Sequence, residues 1–322
     1  MQAFSFSAPR FTDEDEAREL AEMTEEERLE VQQDLYGTHV ELEETNDLRE
    51  RLLEEMQTCL DAIPDDDKRV YLEACQVCPR IVTSESAPIR FLRCENYQPE
   101  RAAQRLVKYW DYRKRVFQDN AFQRLRLEEG AMYPEDESIL RWRHSEILPD
   151  DRNGRMVLSH DRSHFKLDKM NHPSVIRCVW YIIHLSLDQN EEYCRRGLVM
   201  LAPSQNTVPQ HFSRKHIKIL YTSLRDCLPV KCRAVHACHP TVVTDLMLPV
   251  IRQVMGRDLR RRWYKHCGSK GEVLQTLSEY GLEKENLPKK LGGTWARSLE
   301  WIDEQKGLER ARATEELEGE VP

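Results

Sequence analysis

The chain has 322 residues, 40% of them hydrophobic and 32% charged, and its formal net charge is −8. That length supports a substantial core in one large or two small domains, and 12 glycines with 15 prolines are too few for a collagenous or low-complexity chain. The charge is uneven: residues 1–67 carry 22 acidic and 5 basic side chains, against 34 and 43 in the remaining 255. An acidic extension thus precedes a mildly basic body, which suits anionic partners such as phospholipid headgroups or nucleic acid.

No apolar run of signal length precedes Asp13–Glu16, position 2 is not the glycine that myristoylation needs, and no prenylation cysteine stands at the end. The longest apolar segment, about Val179–Leu187, contains His184 and is too short to span a bilayer. The ten cysteines therefore read as reduced thiols of a soluble cytoplasmic protein.

In chain order, Thr12 before Glu14, Asp15 and Glu16 caps a short helix, and Thr24-x-x-Glu27 is a capping box ahead of a second. Residues 38–62 place Leu42, Leu48, Leu52, Met56 and Leu60 in helical phase, and Asp65-Asp66-Asp67 after Pro64 is a linker. The acidic helical extension, 1–67, reads as a solvated cover or as an autoinhibitory flap over the basic body. A helical module, 68–130, follows, and Pro99 opens its long helix with Ala102, Leu106, Tyr109, Trp110 and Arg113 at helical spacing.

After an acidic connection with Pro134 and Pro149, the turn Asp150–Arg155 leads into the strand Met156-Val157-Leu158. Pro173 opens a helix through Leu187, and Gly197–Ala202 is an apolar run suited to a strand buried on both faces. A helix spans about His211–Cys227, and Lys231–Cys238 is a third strand. Strand, helix, strand, helix, strand implies parallel pairing through crossovers, hence an α/β sheet.

His239-Pro240 ends that strand. Val243, Leu246, Met247, Val250 and Val254 then mark the helix Thr241–Met255, which Gly256 ends. The basic knot Arg257, Arg260, Arg261, Arg262 and Lys265 follows, interleaved with Trp263 and Tyr264. A half-apolar helix bracketed by cations suits an apolar ligand with an anionic end.

Several of these pieces together resemble the CRAL-TRIO (Sec14-like) lipid-binding family over about residues 86–296. They are Phe91-Leu92-Arg93 with Tyr97, the helix ending near Tyr109-Trp110-x-Tyr112-Arg113, Asp151-x-x-Gly154-Arg155 before the first core strand, and the ending Asn286-Leu287-Pro288-Lys289-Lys290-Leu291-Gly292-Gly293-Thr294. The resemblance implies an N-terminal helical module and a mainly parallel sheet flanked by helices. The domain proper would span 140–300, with a charged tail at 301–322 outside it. It implies an apolar pocket floored by the sheet and closed by Thr241–Met255 as a mobile gate. Such a pocket takes one phospholipid, phosphoinositide or isoprenoid, and each buried CH2 contributes roughly 0.8 kcal/mol. It further implies a monomer that docks transiently on anionic membranes, with no cofactor besides the lipid, no nucleic-acid partner and no covalent chemistry.

Lys231 and Arg233 follow Pro229 at the two-residue step of phosphoinositide-recognising relatives of the tocopherol-transfer type, and residues two apart on a strand share a face. Arg90, Arg261 and Arg262 resemble further members of that headgroup-binding set. The other use of these cations is ion pairing with the acidic arm. The chain departs from the family at Val230, where Sec14-like phosphatidylinositol binders have glutamate. It departs again at Cys238-His239-Pro240, one residue short of Asn-x-Pro, and at Arg252-Gln253-Val254-Met255 in place of Lys-Pro-Phe-Leu.

Other chemistries find little support. Cys75-x-x-Cys78 has no second pair for a zinc site, and His236 and His239 face opposite sides of a strand, so no metal is expected. Cys227-x5-Arg233 has the length of a phosphatase loop without its histidine or glycines. There is no nucleophile elbow, Walker loop or dinucleotide fingerprint, and Trp263-Tyr264 is a short patch rather than a nucleic-acid groove. The sequence therefore predicts non-enzymatic binding of a small hydrophobic ligand and its transfer between membranes or presentation, with a membrane regulatory or interaction module that exchanges no lipid as the alternative.

Overall fold

The computed structural model describes residues 11–39, 42–169 and 171–318. The ends of the arm and tail, 1–10 and 319–322, which bear on the signal and lipidation expectations, lie outside the described residues.

The arm forms α1 (Asp13–Ala21), α2 (Glu25–Tyr36) and α3 (Asn46–Ala62). Thr12 and Thr24 accept from the backbone of Asp15 and Glu27, whose carboxylates return the bond, so both capping boxes close. The third helix starts at Asn46 rather than at 38, because the Thr45 hydroxyl caps it by accepting the Leu48 N–H at 3.2 Å.

The helical module is α4 (Arg69–Val77), α5 (Pro79–Thr83), α6 (Pro88–Cys94) and α7 (Pro99–Phe117). Proline opens three of these, where its missing N–H would have no intrahelical partner. The centroid of the buried Tyr109 ring lies 5.5 Å from Phe91, 5.6 Å from Trp110 and 5.3 Å from Trp180. Arg113, fully buried, donates to the Glu85 carboxylate at 2.8 Å and the Ala121 carbonyl at 2.7 Å. The aromatic motif is thus the joint between the module and the helix that carries Trp180.

The remaining elements are α8 (Pro134–Leu140), β1 (Ser145–Leu148), β2 (Met156–His160), α9 (His172–Gln189), α10 (Tyr193–Arg196), β3 (Leu198–Pro203), α11 (Arg214–Thr222), β4 (Cys232–Cys238), α12 (Val242–Arg260), β5 (Trp263–His266), α13 (Lys270–Glu279) and α14 (Trp301–Glu318). One sheet has the order β1-β2-β3-β4-β5, with β1 antiparallel to β2 and every other pair parallel. The three predicted strands form its centre. The sequence reading missed both edges, each only four residues long. The predicted helix His211–Cys227 divides into a 3-10 turn at Pro209–His211, α11, and a π-turn at Ser223–Cys227.

Parallel neighbours in sequential order, joined by right-handed crossovers, set α9, α11 and α12 on one face of the sheet. There Met156, Leu158, Met200 and Val235 pack with Val179, Ile183, Leu220 and Ile251. The opposite face must be covered by other segments. Val157, Val199, Leu201 and Ala234 meet Leu35 of α2 and Val273, Leu277, Leu287 and Leu291. The Asn286–Thr294 motif is therefore a back cover, folded tightly on itself. A Cβ at Gly293 would lie 2.0 Å from the Leu287 carbonyl oxygen. The tail also packs, since Glu309 of α14 accepts from the Tyr181 hydroxyl at 2.7 Å and from the Leu127 N–H at 2.8 Å.

Gly293→Ala is expected to cost about 1–3 kcal/mol through overpacking, read as a lower urea midpoint. An unchanged midpoint would show that the back cover tolerates the added methyl.

Candidate functional site

α12 packs on β4 and on α11. Thr241 caps it by accepting the Thr244 N–H at 3.3 Å. The helix does not stop at Met255. It runs on to Arg260, with Gly256 as a break at φ 79°, ψ 163°, a left-handed conformation that glycine adopts without steric cost. Pro249 removes one helical donor, and its carbonyl accepts the Phe11 N–H at 3.3 Å. Among the predicted gate residues, Met247 and Val250 are buried, Val243 and Val254 are half-buried, and Leu246 is 63% exposed beside Val242 at 76%. Ile251, Met255 and Leu259, which continue the inward face at steps of four, are buried and were not predicted. Below lie Leu158, Met200 and Val235 of the sheet, and toward the strands' carboxyl ends the floor becomes low where Ala202 pairs with Ala237.

The predicted headgroup cations lie at the opposite, amino end of the strands, and acidic helices meet them. Arg233 Nη1 donates to Asp34 at 2.7 Å and Arg262 Nε to the same carboxylate at 2.5 Å, while Lys231 Nζ bonds Glu30 at 2.8 Å. Arg261 bonds Glu27 at 2.9 Å. Arg90 does not join this group: it pairs with Asp188 at 2.9 Å and Glu191 at 3.4 Å. The carboxylates stand at 27, 30 and 34, steps of three and four that align one face of α2. That spacing was in the sequence, and only its partner was not.

Asp34 is fully buried. Burial pushes its pKa up, but the hydrogen bond from His39 and the charges of Arg233, Lys231 and Arg262 outweigh it and hold the carboxyl far below the usual range. Arg155 of the Asp-x-x-Gly-Arg motif fixes the same helix end. It is anchored to Asp151 at 2.6 Å and donates to the backbone carbonyls of Asp34 and Leu35. The first helix docks along α12: Arg252 pairs with Glu16 at 2.9 Å and Asp13 at 3.3 Å, Arg257 with Glu22 at 3.8 Å, and Arg260 with Glu19. The Arg260 guanidinium also lies 4.1 Å over the Phe11 ring. A polar cleft of about 240 Å³ remains between α2 and the knot, lined in part by Glu27, Glu30, Arg105, Lys231 and Arg261. It suits a small polar group rather than an acyl chain.

The other candidates have plainer surroundings. Cys227 is buried, and burial pushes its thiol up to about 12, away from nucleophilic use. His236 Nδ1 lies 2.8 Å from His266 Nε2. Among the described residues no group of three His, Cys, Asp or Glu side chains is arranged to hold a metal ion. No described helix is long and apolar enough to cross a membrane.

The fold is thus an α/β sheet with three crossover helices on one face, of which the capped and kinked α12 lies over an apolar floor. Residues 154–300 match the family model described as a divergent CRAL/TRIO domain. Residues 154–300 therefore form a CRAL-TRIO domain of the divergent kind. The crystal structure of Sfh5 superposes with a TM-score of 0.47 at 12% identity, covering 84% of this chain and 100% of that one. No curated protein matches the chain.

Asp34→Ala leaves two buried guanidiniums facing each other, and is expected to cost about 3–5 kcal/mol in urea unfolding. With a depressed native pKa, Asp34 stabilises fully above the unfolded carboxyl value of about 4. That stability is lost as pH falls below it. The acid-induced loss of stability should therefore be shallower in the variant than in the unaltered chain.

Proposed function

We propose that the chain binds one hydrophobic ligand between the sheet and α12 and exchanges it at an anionic membrane, with the acidic arm as a latch on the gate. The observation that carries this reading is that α1 and α2 bind α12 and the basic knot through carboxylates, where anionic headgroups would otherwise go. The magnitudes favour a releasable latch. Partly exposed ion pairs such as those of Arg252, Arg257 and Arg260 contribute roughly 0–1 kcal/mol each. An anionic leaflet attracts each Lys or Arg near its surface by about 1 kcal/mol. A membrane can therefore compete for the outer pairs, while the buried Asp34 cluster keeps the arm attached. Val242 and Leu246, exposed one turn apart at the amino end of α12, supply an apolar contact for the bilayer.

In this reading Arg233, 1% exposed and paired, is an anchor. Lys231 and Arg261 stay paired with Glu30 and Glu27 of α2, and phosphoinositide contact falls to Arg252, Arg257 and Arg260 once α1 lifts. The ligand class stays within the phospholipid, phosphoinositide and isoprenoid range, and the protein works as a monomer of the cytoplasm that visits membranes. Mass spectrometry of lipids extracted from the purified chain is expected to find one bound species, and vesicle-to-vesicle transfer to be measurable. Empty protein with no transfer, even with a weakened latch, would reduce the domain to a membrane-responsive module without cargo.

Glu16→Lys with Glu19→Lys reverses two latch contacts. Binding to anionic vesicles at low salt is expected to rise about fivefold or more, and the gain to shrink as salt screens it. Unchanged vesicle binding would leave the arm a passive extension.

A further inference from the structure

Arg162 stands in the 3-10 turn just after β2 and is 6% exposed. Its guanidinium lies 5.6 Å over the Phe212 ring and against the Tyr221 hydroxyl. Its Nε and Nη2 have no hydrogen-bond partner, and no carboxylate pairs with it among the described residues. Buried cations are ordinarily paired, because an uncompensated charge in a low-dielectric interior is costly. Every headgroup cation predicted from the sequence has a carboxylate partner, and Arg162 does not.

Imidazoles cluster here, with His144 6.0 Å from His160 and His172 5.7 Å from His216. His160, the last residue of β2, is fully buried, with Nδ1 2.7 Å from the Ser145 hydroxyl and Nε2 without a partner. His216 of α11 stacks on it at 6.0 Å and 14°, with both ring nitrogens unpartnered. Burial, and next the nearby charge of Arg162, push both histidines well below their usual pKa. Each therefore stays neutral with one N–H, which His160 presents at Nε2 when its Nδ1 accepts from the Ser145 hydroxyl. Phe165 lies 5.9 Å from His160 and 5.6 Å from His216, bounding the pair with an apolar edge.

The position fits a ligand. In open α/β sheets ligands bind outside the carboxyl ends of the strands, and this cluster is at that end, on the face that α11 and α12 cover. Ser159 pairs with Leu201, so continuing that register by one residue sets His160 in the row of Ala202 and Ala237, whose small side chains leave the floor low. The lid edge here is a hydroxyl contact: Thr207 lies 3.4 Å from both Thr241 and Thr244 at the start of α12.

We propose that Arg162, His160 and His216 seat the anionic group of the apolar ligand, a carboxylate or phosphate joined to a hydrocarbon chain. This rests on the lipid-binding reading and narrows it to acidic amphiphiles. The hydrocarbon would lie along Leu158, Met200 and Val235, on the same face of the sheet. The basic knot, at the amino end of the strands, is left for the membrane surface.

The test titrates the full chain with a fluorescent long-chain fatty acid, the matching fatty alcohol with the same label, and inorganic phosphate as competitor. The acid is expected to bind about tenfold or more tightly than the alcohol, as charge-assisted hydrogen bonds require. Phosphate should compete with the acid and leave the alcohol in place. Arg162→Gln should bring the acid down to the alcohol, and Arg162→Lys should retain part of the preference. Equal affinity for acid and alcohol in the unaltered chain overturns the seat and leaves lipid binding standing. So does a preference that survives Arg162→Gln. Binding of neither amphiphile overturns both readings, and phosphate binding without either assigns the site to a free anion and overturns the lipid assignment. The ratio in the unaltered chain decides the matter even if Arg162→Gln fails to fold.

Discussion

One buried carboxylate decides how the two oppositely charged parts of this chain relate. Asp34 sits out of water against Arg233, Arg262, Lys231 and His39. Removing either side alone would strand charge in the interior, which costs far more than losing a surface pair. The acidic arm is therefore not a detachable tail. Its second helix belongs to the folded body, held additionally by the Arg155 bonds and by Leu35 in the back core. Its first helix is held by pairs nearer to solvent. The result is a graded attachment, buried at the sheet edge and nearer to solvent along α12.

The sheet order explains why the arm is there. Running the strands in sequence with right-handed crossovers leaves one face covered by α9, α11 and α12 and the other bare. A bare apolar face must be covered, and the chain uses α2, α13 and the Asn286–Thr294 segment. In the proposed reading the face under α12 is the one that opens, which leaves the back of the sheet covered. Its two ends differ in kind. At the amino end of the strands the cations have carboxylate partners, whereas at the carboxyl end Arg162 has none among the described residues and two buried histidines keep ring nitrogens without a hydrogen-bond partner.

Much of this is readable in the residues, for stated reasons. Capping boxes at Thr12 and Thr24 are local patterns and form as written. β3 is a continuous apolar run and β2 opens on one, and Tyr109 and Trp110 stand in the helical spacing of α7. What escapes depends on approach across the chain. The four residues of β5 are too short for alternation to register, and in the sequence they merge into the basic knot. Gly256 looks like a stop, but a single left-handed residue can kink a helix that resumes beyond it. Asp34 is one acid among 22 in the arm, and nothing local marks it as the buried one. His160, Arg162 and His216 follow no motif, and only folding brings the third of them to the other two.

The claim on which the rest turns is that a membrane competes with the outer arm for the cations of the gate. Hydrogen–deuterium exchange, read along α1, α2 and α12 with anionic and with neutral vesicles, addresses it directly. Competition predicts faster exchange in α1 and α12 on anionic vesicles alone, while the last turn of α2 around Asp34 stays protected. Vesicle binding with α1 protection unchanged, or release of the Asp34 turn before α1, would contradict it.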